Sequence, residues 1–196
     1  KEAKKKGKDI TCEVTPHHLV LTEKDMERLG NLGKMNPPLR TQEDRIALWK
    51  GVSEGTVDMI GSDHAPHTLQ EKDTDIWDAP GGVPGVETTL PILFTFMHRK
   101  MLSLEDLVRL TAQNPAKMLG IYPRKGIIKP GSDADFVLVD PKQEWKLKEG
   151  YLLTKCKWSP FEGMSFRGKP VATFLRGKVW EYETDMARLG RFAYEN

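Results

Sequence analysis

A chain of 196 residues with 38% hydrophobic content is long enough for one large or two small domains around a hydrophobic core. Thirty basic against 28 acidic residues leave a formal net charge of +2, so no polyanionic partner is implied and nucleic acid is not favoured. No apolar stretch approaches the length of a membrane span and no signal-peptide pattern occurs; with its two cysteines far apart and outside any Cys-x-x-Cys pair, the expected compartment is a reducing cytoplasm, with no membrane partner.

The opening run Lys1–Lys8 reads either as the last turn of a helix closed by Gly7, where cations suit the macrodipole, or as a disordered basic tail. Residues 9–14 are strand-like. Thr22-Glu23-Lys24-Asp25 resembles a capping box opening a short helix that ends near Gly30, and residues 31–40 form a loop around Pro37-Pro38. Thr41-Gln42-Glu43-Asp44 opens a second helix, with Ile46, Leu48, Trp49 and Val52 at roughly helical spacing. A short buried strand over 57–62 follows, then a long polar loop containing the turn-rich stretch Pro80–Gly85. Residues 86–99 look helical, with Pro91 tolerable only near the first turn. Ser103 caps the next helix, and Asn114-Pro115 starts a short one that Gly120 ends.

From about residue 121 the pattern changes. Lys129–Asp133 is a turn, Ala134–Val139 runs apolar like a buried strand, and 171–176 with 179–182 reads as a hairpin about Gly177-Lys178. Trp145, Trp158 and Trp180 are expected to pack this part. Helices and βα units over 1–120 followed by short strands over 121–196 make the chain α/β with a small β module behind it.

The chemistry concentrates where the second strand leaves the core. Four of the five histidines lie in two short stretches, Thr15-Pro16-His17-His18 and Gly61-Ser62-Asp63-His64-Ala65-Pro66-His67. A carboxylate and two imidazoles on a proline-stiffened turn after a buried strand suit a metal-assisted hydrolase. Asp63 can also be read as an ordinary turn or cap residue, and His17 as an imidazole ligand or a pocket wall. The eight methionines are dispersed and suggest no soft-metal cluster; the five tryptophans form no stacking platform for single-stranded nucleic acid.

Taken together, Glu13-Val-Thr-Pro-His-His-Leu19, Met35-Asn-Pro-Pro-Leu-Arg40, Ser62-Asp-His-Ala-Pro-His67 and Pro130-Gly-Ser-Asp-Ala-Asp135 resemble the amidohydrolase superfamily, and most closely its dihydroorotases. The likeness extends to Gly190-Arg191-Phe192. An allantoinase would more typically carry Cys-Pro-His-Tyr where this chain has Thr15-Pro16-His17-His18.

The resemblance implies a (β/α)8 metal-dependent hydrolase barrel with its active site at the carboxyl ends of the strands, flanked by a β module. Such a barrel takes roughly 250 residues. Residues 1–120 are too few for it, so the expected fold is the C-terminal part of a barrel, from about the seventh strand, with a β-sandwich-like composite module and tail over 121–196. The family's histidine ligands and bridging carboxylated lysine or aspartate would then lie upstream of Lys1, and His98, in a helix pattern, is no substitute.

By the same resemblance, two zinc ions would serve the complete active site, and Asp63 would be both a metal ligand and the general base and acid. His67 and Asn36 would hold the substrate carboxylate, the Gly81-Gly82 backbone would contact the substrate, and His64 would support Asp63. His17 and His18 would line the pocket, because the seventh strand carries no metal ligand. At the position of Gly81 relatives often carry Phe.

The implied reaction is the reversible hydrolysis of L-dihydroorotate to N-carbamoyl-L-aspartate in pyrimidine biosynthesis, with these 196 residues inactive alone. Another cyclic amidohydrolase, such as an allantoinase or hydantoinase, and a non-catalytic scaffold binding a pathway enzyme are the alternatives. Open strand edges would make the chain dimerise, pair with the missing N-terminal part of the barrel, or aggregate.

Overall fold

The computed structural model describes residues 1–148 and 150–181, with side chains described up to residue 179. Tyr182 and Gly190-Arg191-Phe192, as well as the side chain of Trp180, lie outside the described residues. Two small sheets organise the rest. In the first, β1 (Glu13–Val14) runs parallel to β2 (Met59–Ile60), with Glu13 opposite Met59 and Val14 opposite Ile60. Both strands are shorter than expected, and only these two residues of each pair in a ladder.

A parallel pair needs a crossover, and here it is helical. The basic start does form a helical turn, α1 (Glu2–Lys5), followed by Gly7 at φ 67°; Lys1 pairs with Glu54 and Lys4 with Asp58, holding this turn onto the β1–β2 unit. After β1 come α2 (Pro16–Val20), a 3-10 turn at Glu23–Asp25, α3 (Met26–Leu29), a second such turn at Gly30–Gly33, and α4 (Gln42–Ser53). The expected single helix over 22–30 is thus a 3-10 turn leading into one α turn. Thr22 and Thr41 each close a reciprocal capping box, with Asp25 and Asp44 respectively. Trp49 of α4 is buried, tilts against Phe96 at 4.7 Å, and donates its indole N–H to the Leu19 carbonyl at 2.9 Å.

The stretch after β2 is not all loop. Thr68 and Glu71 form another reciprocal capping box that opens α5 (Leu69–Lys72). Then α6 (Thr89–His98) buries Pro91 through Phe96 in succession, as a helix enclosed on several sides does. Pro91 sits in its first turn, where a missing N–H costs least. The helices expected separately after Ser103 and Asn114 follow one another without a break: α7 (Leu104–Val108), a π turn at Arg109–Gln113, and α8 (Asn114–Met118).

The second sheet is antiparallel, in the order β3 (Phe136–Lys146), β4 (Ser165–Leu175), β5 (Lys178–Glu181). Its hairpin turn is Arg176-Gly177, one residue earlier than expected, because Leu175 pairs with Lys178 and both turn residues take positive φ. The expectation of a buried strand at 134–139 is also corrected, since Val137 and Leu138 are exposed on β3. The sheet meets α6 chiefly through β4, where the Arg167 amide donates to Thr95 Oγ1 at 3.0 Å. The Pro130–Asp135 motif is a structural staple: Asp135 pairs with Lys125 and accepts the Arg176 amide at 2.6 Å.

Candidate active site at the carboxyl ends of the parallel strands

Because β1 and β2 are parallel, the segments carrying His17-His18 and Asp63 leave the sheet side by side, and the Gly61 amide donates to the Val14 carbonyl at 3.1 Å. Asp63 itself has φ 45°, a left-handed conformation uncommon outside glycine but several-fold enriched in aspartate. Backbone held in such a region costs free energy and clusters at functional sites. Asp63 is exposed and lines a cleft of about 690 Å³ together with Glu13, His18, Pro37 and Arg40.

His18 is committed to holding this wall. Its Nε2 lies 2.9 Å from the Pro37 carbonyl, which can only accept, so Nε2 carries the hydrogen. Nδ1, 2.6 Å from Thr15 Oγ1, then accepts from that hydroxyl, while Oγ1 accepts the His18 amide as the cap of α2. With both ring nitrogens engaged, His18 belongs to the pocket wall. His17 is 1% exposed, its Nε2 has no partner, and burial, then the neighbouring His18, lower its pKa to about 3.

His64 accepts from the Gly85 and Val86 amides at Nδ1, at 3.1 and 3.3 Å, and bridges in parallel to Val83. Its ring therefore ties the Asp63 turn to the 81–86 loop. His67 is anchored by its carbonyl, which accepts the Trp158 indole N–H at 2.7 Å. Trp158 is buried in the core cluster with Leu147, Phe161 and Phe166, and its N–H needs an acceptor and finds it on the loop after β2.

Asn36 precedes a cis peptide bond to Pro37, and its side chain lies against Gly81: a Cβ built on Gly81 would stand 2.7 Å from Asn36 Nδ2. A glycine at 81 admits the Asn36 amide to that position. Gly82 has φ 126°, and a Cβ there would meet the Ala65 Cβ at 2.4 Å, so the backbone requires glycine twice over. The structure thus brings Asn36, Gly81 and Gly82 into one cluster and sets Asp63 in the cleft beside Pro37.

Two residues that hold the loops of this region carry no distinguishing mark in the sequence. Lys72 is 2% exposed, and its ammonium donates to the Pro80, Lys34 and Asn31 carbonyls at 2.7, 3.2 and 3.3 Å. Burial, then the charge of Lys34, lower its pKa to about 8. Glu87 accepts the Leu153 and Thr154 amides at 2.9 and 2.7 Å, tying the segment before α6 to the 150s loop. A lone lysine in a polar stretch and a glutamate before a helix carry no pattern that distinguishes them from solvated surface charges. The Thr68-x-x-Glu71 box that positions Lys72 does carry a capping signal, within a stretch that otherwise reads as polar loop.

The residues present do not by themselves fit a metal ion. Among the described residues no three His, Cys, Asp or Glu side chains converge as a ligand set, and the unpartnered buried nitrogens, His17 Nε2 and His98 Nε2, have no such company. Among them, too, no helix is long and apolar enough to cross a membrane.

The chain belongs to the amidohydrolase family, whose pattern it matches over residues 6–180. It is 49% identical over 182 residues to a dihydroorotase of Halobacterium salinarum, covering 92% of this chain and 43% of that one. With a dihydroorotase of Methanosarcina acetivorans it shares 46% over 184 residues, 93% of this chain and 39% of the other. Among solved structures, the L-hydantoinase of Arthrobacter aurescens superimposes with a TM-score of 0.87 at 41% identity, over 91% of this chain and 40% of that one. The chain therefore spans about two-fifths of the length of the relatives it matches.

Proposed function

We propose that this chain forms part of a dihydroorotase, with residues 1–120 contributing the last strands and helices of a (β/α)8 barrel and 121–196 a β module packed on it. The whole enzyme would interconvert L-dihydroorotate and N-carbamoyl-L-aspartate. The observation that supports this best is Asp63 in a left-handed conformation at the carboxyl end of a parallel strand, facing a cleft, in a chain 49% identical to a dihydroorotase.

Hydrolysis breaks the ring amide C–N bond, adding hydroxide to the carbonyl carbon and a proton to the departing nitrogen. An exposed carboxylate in the cleft can take the proton from water and return it to that nitrogen, and this is the role of Asp63. Asn36 Nδ2 and His67 supply donors for the substrate carboxylate, and the Gly81-Gly82 backbone lies against Asn36 to receive the ring. Zinc is the metal the family likeness suggests; these residues would contribute Asp63 alone to such a centre, and the other ligands would come from parts of the enzyme beyond this chain.

In the metal-loaded full-length enzyme, Asp63→Asn is expected to lower kcat for dihydroorotate by at least about a hundredfold with the fold intact by circular dichroism, the low end for losing a proton-transfer group. Retention of kcat within threefold would remove Asp63 from the chemistry. The 196 residues alone are expected to give no turnover with added zinc. A hydantoinase is the second reading, favoured by the likeness to the Arthrobacter aurescens structure. Comparing kcat/KM for dihydroorotate and for 5-substituted hydantoins separates the two.

A further inference from the structure

We infer that Lys72 is a positioning residue for substrate recognition: its buried ammonium holds the Asn36 loop and the Gly81-Gly82 loop in register. The inference rests on the proposal that these two loops bind the substrate. It deepens that proposal by naming what sets their spacing.

The geometry is that of a clamp. The Lys72 ammonium bonds to carbonyls on both sides, those of Asn31 and Lys34 on one loop and of Pro80 on the other. The Pro80 carbonyl belongs to the residue immediately before Gly81. The Lys34 carbonyl also accepts the Gly82 amide at 2.9 Å, so one oxygen is shared by the clamp and the recognition loop. Reciprocal struts run back: Asn31 Nδ2 donates to the Lys72 and Thr74 carbonyls at 2.9 and 2.5 Å, and Lys34 Nζ to the Ile76 and Trp77 carbonyls at 2.6 and 2.8 Å. Beyond the clamp the loops meet at Asn36 and Gly81, with no room for a side chain on Gly81 unless Asn36 moves.

Among the described residues no carboxylate pairs with this ammonium, and the Trp158 ring, 5.7 Å away, adds only a cation–π contact. A buried cation so placed is poorly compensated, and its pKa is correspondingly lowered. An apolar side chain would avoid that cost but would leave the Pro80 carbonyl unpaired and remove one of two donors from the Lys34 and Asn31 carbonyls, which keep the Gly82 and Lys34 amides. The register the clamp defines would relax. Lys72 touches neither Asp63 nor His64 by hydrogen bond, so its influence falls on how the substrate is held rather than on the proton-transfer group.

The test uses the metal-loaded full-length enzyme and its variants Lys72→Met, Lys72→Arg and Asn31→Ala, assayed with dihydroorotate and with 5-substituted hydantoins. For whichever cyclic amide the unmodified enzyme turns over, Lys72→Met is expected to raise KM at least about fivefold while kcat changes less than twofold and bound metal stays constant, the signature of weakened ground-state binding. Lys72→Arg is expected to recover part of the loss, and Asn31→Ala, which removes struts from a half-buried position, to show a smaller rise. Hydrogen exchange at the Gly82 amide is expected to quicken in Lys72→Met and Asn31→Ala, a readout independent of turnover. An unchanged KM with unchanged Gly82 protection in either folded variant would overturn the inference. If the unmodified enzyme prefers hydantoins, the dihydroorotate reading fails while the Lys72 comparison still stands on the preferred substrate.

Discussion

At the scale of single residues, the titratable groups of the strand-end region divide by burial. Asp63 is open to the cleft, as its proposed role as proton carrier requires, whereas His17 one strand away is shut off from water with an unpartnered nitrogen. The folded chain resists protonating His17 down to about pH 3, while the unfolded chain protonates it near 6.5. The unfolded state therefore binds more protons between those values, and folding stability falls as pH drops through that window, by up to about 1.4 kcal/mol per pH unit. Above pH 6.5 the group contributes no pH dependence. Replacing His17 with Phe, similar in shape and without the orphaned nitrogen, is expected to flatten the acid limb of a urea-midpoint profile between pH 6.5 and 4. An equally steep limb in the variant would show that other groups govern acid unfolding.

His18, next to it in sequence, is half-buried and wired by both nitrogens to Thr15 and Pro37. Two adjacent histidines that look alike in the sequence thus have different work: one fills the core, the other braces the cis-proline loop. What separates them is the loop at Pro37, nineteen residues away, whose carbonyl reaches only one of the two rings.

At the scale of elements, the site region is held by polar ties between loops as much as by apolar packing. Glu87 is the clearest case, because its carboxylate satisfies two amides of the 150s loop, sixty-six and sixty-seven residues away. Hydrogen bonds to a charged group contribute about 1.5–3 kcal/mol each, and amides left unpaired add to the loss. Glu87→Ala is therefore expected to destabilise the chain by about 2–4 kcal/mol in urea unfolding, with Glu87→Gln recovering part by keeping one acceptor. Equal stability of Glu87→Ala and the unmodified chain would mean that water replaces the carboxylate at no cost.

The helices themselves were largely legible. Thr22, Thr41 and Ser103 announce starts that the structure confirms with reciprocal caps, because a capping box is a contact three residues long and needs nothing from the rest of the chain. Thr68-Leu69-Gln70-Glu71 carries the same signal and was passed over as loop, since no apolar periodicity follows it. The strand positions were legible but their lengths were not. The parallel pair expected over 9–14 and 57–62 is shorter, while the antiparallel strands expected over 134–139 and 171–176 run longer, over 136–146 and 165–175. An apolar run marks where a strand can lie, and its paired length depends on the neighbour.

At the scale of the whole molecule, much apolar surface remains uncovered. Val137, Leu138, Val171 and Val179 of the antiparallel sheet are exposed, and a cleft of about 680 Å³ between α6, α7 and β3 is walled by Phe94, Leu107, Phe136 and Phe174. Surfaces of this kind favour association. The isolated 196 residues are expected to show a mass that rises with concentration in light scattering, and a monomer unchanged across the soluble range would refute that. Relatives more than twice as long have further residues with which to cover such surfaces.

Short-range chemistry was the part written in the order of residues. Caps, turns, the apolar strand before Asp63 and the motifs that carry the family likeness each act over a few positions, and no distant partner is needed to recognise them. The choice of partner across long sequence separations belonged to the folded chain alone. Lys72 became a clamp, Glu87 a tie, His18 a brace and Trp158 an anchor for His67, because their partners are backbone groups brought near by folding. A backbone amide or carbonyl is the same at every residue, so a side chain destined to meet one far away leaves no mark in the sequence.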